Sequence, residues 1–161
     1  MGMSKEVRIK IYSLRYEVEA SLFSQEDDDL HTVSDDMKIE PVKIEINSIG
    51  RLTDDGSRVV ISYDETEATG MDGSSTAISF VKSQPEIVTM TREGVISTVL
   101  VFEEKVRHHC LYKTPFMPFE VCVHTMKVKN LLQGMGVLEL DYVIEIRGAQ
   151  AERTKFRMEL L

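Results

Sequence analysis

The residues most suited to chemistry in this 161-residue chain lie between Val106 and Met126. This stretch holds both cysteines and three of the four histidines. They form a near mirror about a proline-bearing turn, with His108-x-Cys110 before it and Cys122-x-His124 after it. Thiolate and imidazole groups are the ligands of tetrahedral zinc sites. A hairpin that paired these two segments symmetrically could therefore hold a metal.

The apolar faces of the two segments argue for a different pairing. The first segment is most apolar on the face of Val106, His108, Cys110 and Tyr112, and the second on the face of Phe119, Val121, Val123 and Thr125. Symmetric pairing would put these faces on opposite sides of the sheet, whereas a slip of one residue puts them on the same side. Since burying a large apolar side chain stabilises by about 1.5–3 kcal/mol, we predict the slipped register. His108 and Cys110 then point inward and Cys122 and His124 outward, so the quartet is only a weak metal candidate.

A second group of residues is polar or amphipathic but falls at or near apolar strand faces. We predict that its members line a pocket for a small polar or anionic ligand, in which Arg92 would be the natural anchor for a carboxylate or phosphate through its planar fork. The alternative is an internal network in which Glu65 pairs with Arg92 and the tyrosine hydroxyls bond to backbone, because buried polar groups need partners whether or not a ligand exists. The group consists of Tyr63, Glu65, Arg92, Tyr112, Thr125 and Tyr142.

Period-two alternation dominates the chain and predicts the elements that position these residues. The clearest run is Leu138 to Ile146, and Asp55-Gly56 and Glu93-Gly94 are typical of tight turns between strands. The first run, from Val7 to Val18, is apolar on both parities, so it is either buried on both faces or interrupted by a bulge. Roughly nine or ten strands are predicted with no helical crossover, so the sheet must be antiparallel. A single up-and-down barrel over residues 1–161, with residues 1–4 as a disordered or added start, is the first choice and a sandwich the second.

Composition and motifs exclude several classes of function. The net charge of −8 disfavours binding to nucleic acids or anionic membranes. No apolar run reaches the ~20 residues of a membrane span, and without an export signal we expect reduced thiols and a cytoplasmic location. The acidic run from Asp27 to Asp36 lacks the EF-hand pattern and is interpreted as a solvated loop. No motif for a nucleophilic or metal-dependent reaction is present, so we predict no cofactor and favour a non-enzyme.

Five short segments stand in a fixed order along the chain: Ile61-Ser-Tyr63-Asp-Glu65, Ser75-Thr-Ala-Ile78, Arg92-Glu-Gly94, Tyr112-Lys-Thr114-Pro115 and Val121-Cys-Val123-His-Thr125. In this order they resemble the YwiB-like family of small uncharacterised bacterial proteins, and the resemblance extends over about residues 5–160. It implies a lipocalin- or calycin-like antiparallel barrel of about 8–10 strands in the cytoplasm, and it implies no known reaction. One departure is Met117, which stands where the family's turn usually has glycine.

The function predicted from these observations is the binding of a small ligand inside the barrel. One alternative is a structural or protein-interaction barrel with a filled interior, and the other is an enzyme of unknown class. A small barrel can either be filled by its own side chains or hold one ligand. The sequence leaves homo-oligomerisation open.

Overall fold

Ten β-strands make up the part of the chain that the structure describes, which is residues 2–17, 41–65, 73–147 and 149–161 of a computed structural model. The predicted acidic loop, Asp27 to Asp36, lies outside the described residues, as do residues 70–72 of a turn predicted at Gly70 to Gly73. The strands are β1 (Met3–Glu17), β2 (Val42–Asp54), β3 (Arg58–Asp64), β4 (Ser75–Val81), β5 (Gln84–Glu93), β6 (Ser97–Glu103), β7 (Arg107–Lys113), β8 (Pro118–Leu131), β9 (Val137–Ile146) and β10 (Ala149–Leu160).

The strands form a closed barrel in which each strand pairs antiparallel with the next one along the chain. β1 closes the ring, because it pairs with β2 on one side and with β10 on the other. The β1–β10 ladder runs from Ile9 opposite Leu160 to Glu17 opposite Glu152. This confirms the predicted all-β, antiparallel up-and-down barrel. β1 begins at Met3, so it includes two of the four residues that were expected to precede the fold.

The two parities of β1 have different environments. Val7, Ile9 and Ile11 are buried in the barrel, and the pairing of β1 with both neighbours runs without a bulge. Tyr12 and Leu14, on the other parity, are half-buried on the outer surface. The strand is therefore an ordinary barrel strand whose outer face is partly covered.

The barrel interior is apolar at one end and polar at the other. At the end where the even-numbered strands finish, the inward residues are aliphatic or aromatic, such as Val59, Phe80 and Phe102. At the end where the odd-numbered strands finish, which we call the polar end, charged and hydroxyl groups face inward. The polar end is defined by Arg15, Tyr63, Glu65, Thr76, Arg92, Glu152 and Thr154.

Two glycines are required where they stand. Gly56 has φ = 92° in the β2–β3 turn, and its N–H donates to Asp54 Oδ1 at 2.9 Å. Positive φ is strained for other residues, so the predicted Asp-Gly turn depends on this glycine. Gly50 has no room for a side chain, because a Cβ there would clash with Ile9 Cδ1 and with the backbone oxygen of Ser62. The absence of a Cβ allows β1, β2 and β3 to pack closely.

The β7–β8 hairpin adopts the slipped register that the apolar faces predicted. Cys110 lies opposite Val121 and His108 opposite Val123. The ladder between β6 and β7 is much shorter, with Ser97 opposite Lys113 and Thr98 opposite Tyr112. The barrel wall is thus held by few backbone pairs at this seam.

Candidate functional site

The cysteine–histidine quartet is split between the two faces of the β7–β8 hairpin. Cys110 is buried in the core, where burial raises the pKa of its thiol. Cys122 lies on the opposite parity, and His108 contacts Glu103, with Nε2 3.1 Å from Oε1. A neutral thiol is a poor nucleophile and a poor metal ligand. Among the described residues, no group of three or more histidine, cysteine or acidic side chains is arranged to hold a metal ion.

A cavity of about 50 Å³ lies inside the polar end of the barrel. That volume holds roughly three to five water molecules, since each needs about 10–15 Å³. It is far smaller than the roughly 300–1,000 Å³ pockets that hold drug-sized ligands. Its walls combine aliphatic and aromatic side chains with charged and hydroxyl groups: Ile11, Ser13, Arg15, Ile44, Ile46, Tyr63, Glu65, Met90, Arg92, Tyr142, Thr154 and Phe156.

Glu65, Thr76 and Arg92 form a polar network on one wall of this cavity. The Thr76 hydroxyl donates to Glu65 Oε1 at 2.5 Å, and Arg92 Nη2 lies 3.4 Å from the same oxygen. Arg92 Nε also donates to Thr76 Oγ1 at 3.4 Å. The Glu65 side chain is 1 % exposed and that of Arg92 is 17 % exposed, so the charge pair is largely shielded from solvent. The second carboxylate oxygen, Glu65 Oε2, is buried and has no hydrogen-bond partner among the described residues.

Arg15 and Glu152 form a second charge pair at the polar end. Arg15 Nε lies 3.2 Å from Glu152 Oε1. That nitrogen is buried and makes no hydrogen bond with a described residue. The two side chains are therefore in ionic contact, but the Arg15 Nε–H is not directed at the Glu152 carboxylate. Glu152 Oε1 instead accepts a hydrogen bond from the Thr154 hydroxyl at 3.0 Å. Arg15 therefore lines the cavity and carries a buried donor that no described residue uses.

Three tyrosines bring neutral hydroxyl groups into the same end of the barrel. Burial raises the pKa of Tyr142 to about 12 and raises that of Tyr63 even further, with a smaller contribution from the carboxylate of Glu65. Burial also raises the pKa of Tyr112. The ring of Tyr142 packs against Phe102 with centroids 4.6 Å apart. These phenols can donate or accept hydrogen bonds at neutral pH but cannot act as bases there.

Four of the six residues predicted to share a pocket line the cavity: Tyr63, Glu65, Arg92 and Tyr142. Tyr112 and Thr125 point into the barrel but do not line the cavity. Tyr112 packs on Phe119 instead, with ring centroids 5.3 Å apart, and Thr125 is fully buried opposite Tyr142. The alternative prediction of a Glu65–Arg92 pair also holds in the structure. The pocket and the internal network are therefore built from the same residues.

The sequence-based prediction missed Arg15, Thr76 and Thr154. Each shares the parity of buried residues on its strand, which is a usable signal for Thr76 and Thr154 but an ambiguous one for Arg15, because both parities of β1 are apolar in the sequence. Arg15 follows Val7, Ile9 and Ile11 in steps of two. Its position on the inward face is the reason that the cavity contains two arginines.

Comparison with known proteins identifies the family and the fold. A family model described as a domain of unknown function, DUF1934, matches residues 29–158. A search of curated proteins gave no match. Among solved structures, the ywiB protein from Bacillus subtilis matches with a TM-score of 0.67 and 16 % sequence identity, over 97 % of this chain and 92 % of that chain. A likeness at this identity establishes the shared barrel fold. The described residues contain no helix with the length and apolarity needed to cross a membrane.

Proposed function

The chain belongs to the DUF1934 family, a domain of unknown function, and we propose that it is a binding protein that takes up a small polar molecule, or the polar end of a larger one, inside the polar end of its barrel. The observation that carries the proposal is that Glu65 Oε2 and Arg15 Nε, in two residues that line the cavity, are buried and have no hydrogen-bond partner in the described part of the chain. Leaving a buried polar atom without a partner costs about 1–3 kcal/mol. A bound molecule that satisfies both atoms recovers this free energy.

The size and lining of the cavity define what it can take. A volume of about 50 Å³ accommodates a group of a few heavy atoms and no more. Apolar contact is available to such a group from Ile11, Ile46 and Met90. Water in the same space would gain little from these side chains. The access of solvent to Arg92 supports entry from the polar end. We extend the proposal to a calycin-like binding barrel of the bacterial cytoplasm, supported by the closed ten-strand ring and by two cysteines that stay unpaired.

A structural barrel with a filled interior is the second candidate. It is favoured by the small volume of the cavity and by the pairing of Glu65 with Arg92. In this case ordered water would satisfy Glu65 Oε2 and Arg15 Nε.

Native mass spectrometry of protein purified gently from a bacterial lysate distinguishes the two candidates. We expect a reproducible added mass that is lost on denaturation. The same mass should be absent from Ser13→Leu, which fills the cavity from β1, and present in Ser79→Leu, which changes a serine on the outward parity of β4. A bare wild-type species, or an added mass that persists in Ser13→Leu, would overturn the proposal.

A further inference from the structure

On the basis of the proposed function, we infer that the group bound in the cavity is uncharged and carries a hydrogen-bond donor and an acceptor together, as a primary carboxamide or a ureido group does. The inference names the chemical class of the ligand. It departs from the sequence-based prediction that Arg92 anchors a carboxylate or phosphate.

Each charged residue of the cavity wall already lies beside a group of opposite charge. Among the described residues that line the cavity, three are charged, Arg15, Glu65 and Arg92. Arg92 lies against Glu65 at 3.4 Å, and Arg15 lies against Glu152 at 3.2 Å. An added anion would bring a third negative charge beside two carboxylates, and an added cation a third positive charge beside two guanidinium groups. An uncharged group avoids both repulsions, which are strongest beside the shielded Glu65–Arg92 pair and weaker beside Arg15 and Glu152, whose side chains are 32 % and 29 % exposed.

Two of the residues that line the cavity carry a buried polar atom without a partner among the described residues. Glu65 Oε2 is an acceptor that lacks a donor, and Arg15 Nε is a donor that lacks an acceptor. A carboxylate ligand has no N–H to offer Glu65, and an amidinium ligand has no oxygen to offer Arg15. A carboxamide has both, on a planar group whose size suits a cavity of about 50 Å³.

Three planar probes of the same shape and the same number of heavy atoms test the inference: acetate, acetamide and acetamidinium. They differ in net charge, which is −1, 0 and +1, and in whether the two polar positions are two acceptors, one of each, or two donors. Each probe is titrated into the ¹⁵N-labelled full-length protein at neutral pH and constant ionic strength, and the backbone amides of Tyr63, Arg92, Tyr142 and Thr154 are followed by NMR. We expect acetamide to bind with a Kd at least tenfold lower than that of either charged probe.

The outcomes separate the inference from the proposed function. If acetate or acetamidinium binds as tightly as acetamide or more tightly, the proposed function stands and the uncharged class is wrong. If none of the probes shifts the cavity amides at concentrations up to saturation of their solubility, the proposed function fails together with the inference.

A charge-removing variant of the cavity tests the reasoning independently. Glu65→Gln leaves the positive charge of Arg92 uncompensated and places an amide where Oε2 was, so we expect acetate to bind this variant more tightly than acetamide. The matched control is Glu139→Gln, which removes a carboxylate from two ion pairs on the outer surface, with Lys127 and Arg157, and should leave the order of the three probes unchanged. If the ratio of the acetate Kd to the acetamide Kd in Glu65→Gln equals that in the wild-type protein, the assignment of an uncharged ligand is refuted.

Discussion

The shielded pair of Glu65 and Arg92 should be far more important for stability than a better-aligned pair on the outer surface. Arg92→Met removes the guanidinium and leaves the Glu65 carboxylate, 1 % exposed, with the Thr76 hydroxyl as its remaining partner within the network. Removing one partner of a buried ion pair costs about 3–5 kcal/mol. Because 17 % of the Arg92 side chain is reached by solvent, we expect the low end of this range, about 3 kcal/mol. For a domain of this size that corresponds to a fall in Tm of about 6–12 °C.

The matched control is Arg153→Met on the outer face of β10. Arg153 makes two hydrogen bonds to Asp141, at 3.1 and 2.9 Å, which are shorter than those of Arg92. Its side chain is 42 % exposed, and exposed pairs contribute about 0–1 kcal/mol. If hydrogen-bond geometry decided the outcome, Arg153→Met would be the more destabilising variant, whereas burial predicts that Arg92→Met is.

The double variant Glu65→Gln with Arg92→Met completes the cycle. A neutral amide at position 65 keeps an acceptor for the Thr76 hydroxyl and removes the unpaired charge, so the double variant should lose about 1–1.5 kcal/mol, less than Arg92→Met alone. The free energies of unfolding are measured in urea by far-UV circular dichroism, since the chain has no tryptophan. The reasoning is refuted if Arg92→Met lowers the free energy of unfolding no more than Arg153→Met does. It is also refuted if the double variant loses as much free energy as Glu65→Gln and Arg92→Met lose in total when measured singly.

Three further predictions follow from other parts of the fold. Burial raises the pKa of Tyr142 to about 12, so its stabilising contribution is complete below pH 10 and is lost as the pH rises towards 12. A spectrophotometric titration should show several late phenolate steps, since the pKa values of Tyr63 and Tyr112 are also raised, and Tyr142→Phe should lose one of them; an unchanged titration would contradict this. Iodoacetamide should label Cys122 in the folded protein well before Cys110, which points into the core, as peptide mass spectrometry can check; equal rates would argue against the slipped register. Gly50→Ala should destabilise by about 1–3 kcal/mol through overpacking, whereas Gly134→Ala, where a Cβ meets nothing within 4 Å, should change the unfolding midpoint little.

The strands and the hairpin register could be predicted from sequence because both depend on one physical rule. Side chains alternate between core and solvent, and a wrong register forfeits the burial of a whole face. Val121 and Val123 are almost completely buried, as the argument required. The same rule placed Tyr63, Arg92 and Tyr142 inside the barrel.

The composition of the cavity wall could be predicted only in part. Alternation says which face a residue occupies, but its depth in a barrel depends on the stagger between all the strands. Tyr112 and Thr125 accordingly point inward and yet miss the cavity. Arg15 was overlooked because both parities of β1 looked apolar, so its inward face could not be assigned from that strand alone. The orphaned atoms, Glu65 Oε2 and Arg15 Nε, depend on side-chain positions that no sequence pattern encodes.

The closure of the ring by β1 and β10 determines when the barrel can be completed during synthesis. Nine of the pairings join strands that are neighbours along the chain, whereas the tenth joins residues 9–17 to residues 152–160. On the ribosome, β1 can pair with β2 early, but its other edge must wait until β10 has been synthesised. Until then the growing meander carries two open edges, β1 and the newest strand, which are templates for pairing with other chains. Pairing between neighbouring strands therefore has a low entropic cost. The risk of aggregation is concentrated in the closure of the ring, which depends on the single long-range ladder between β1 and β10.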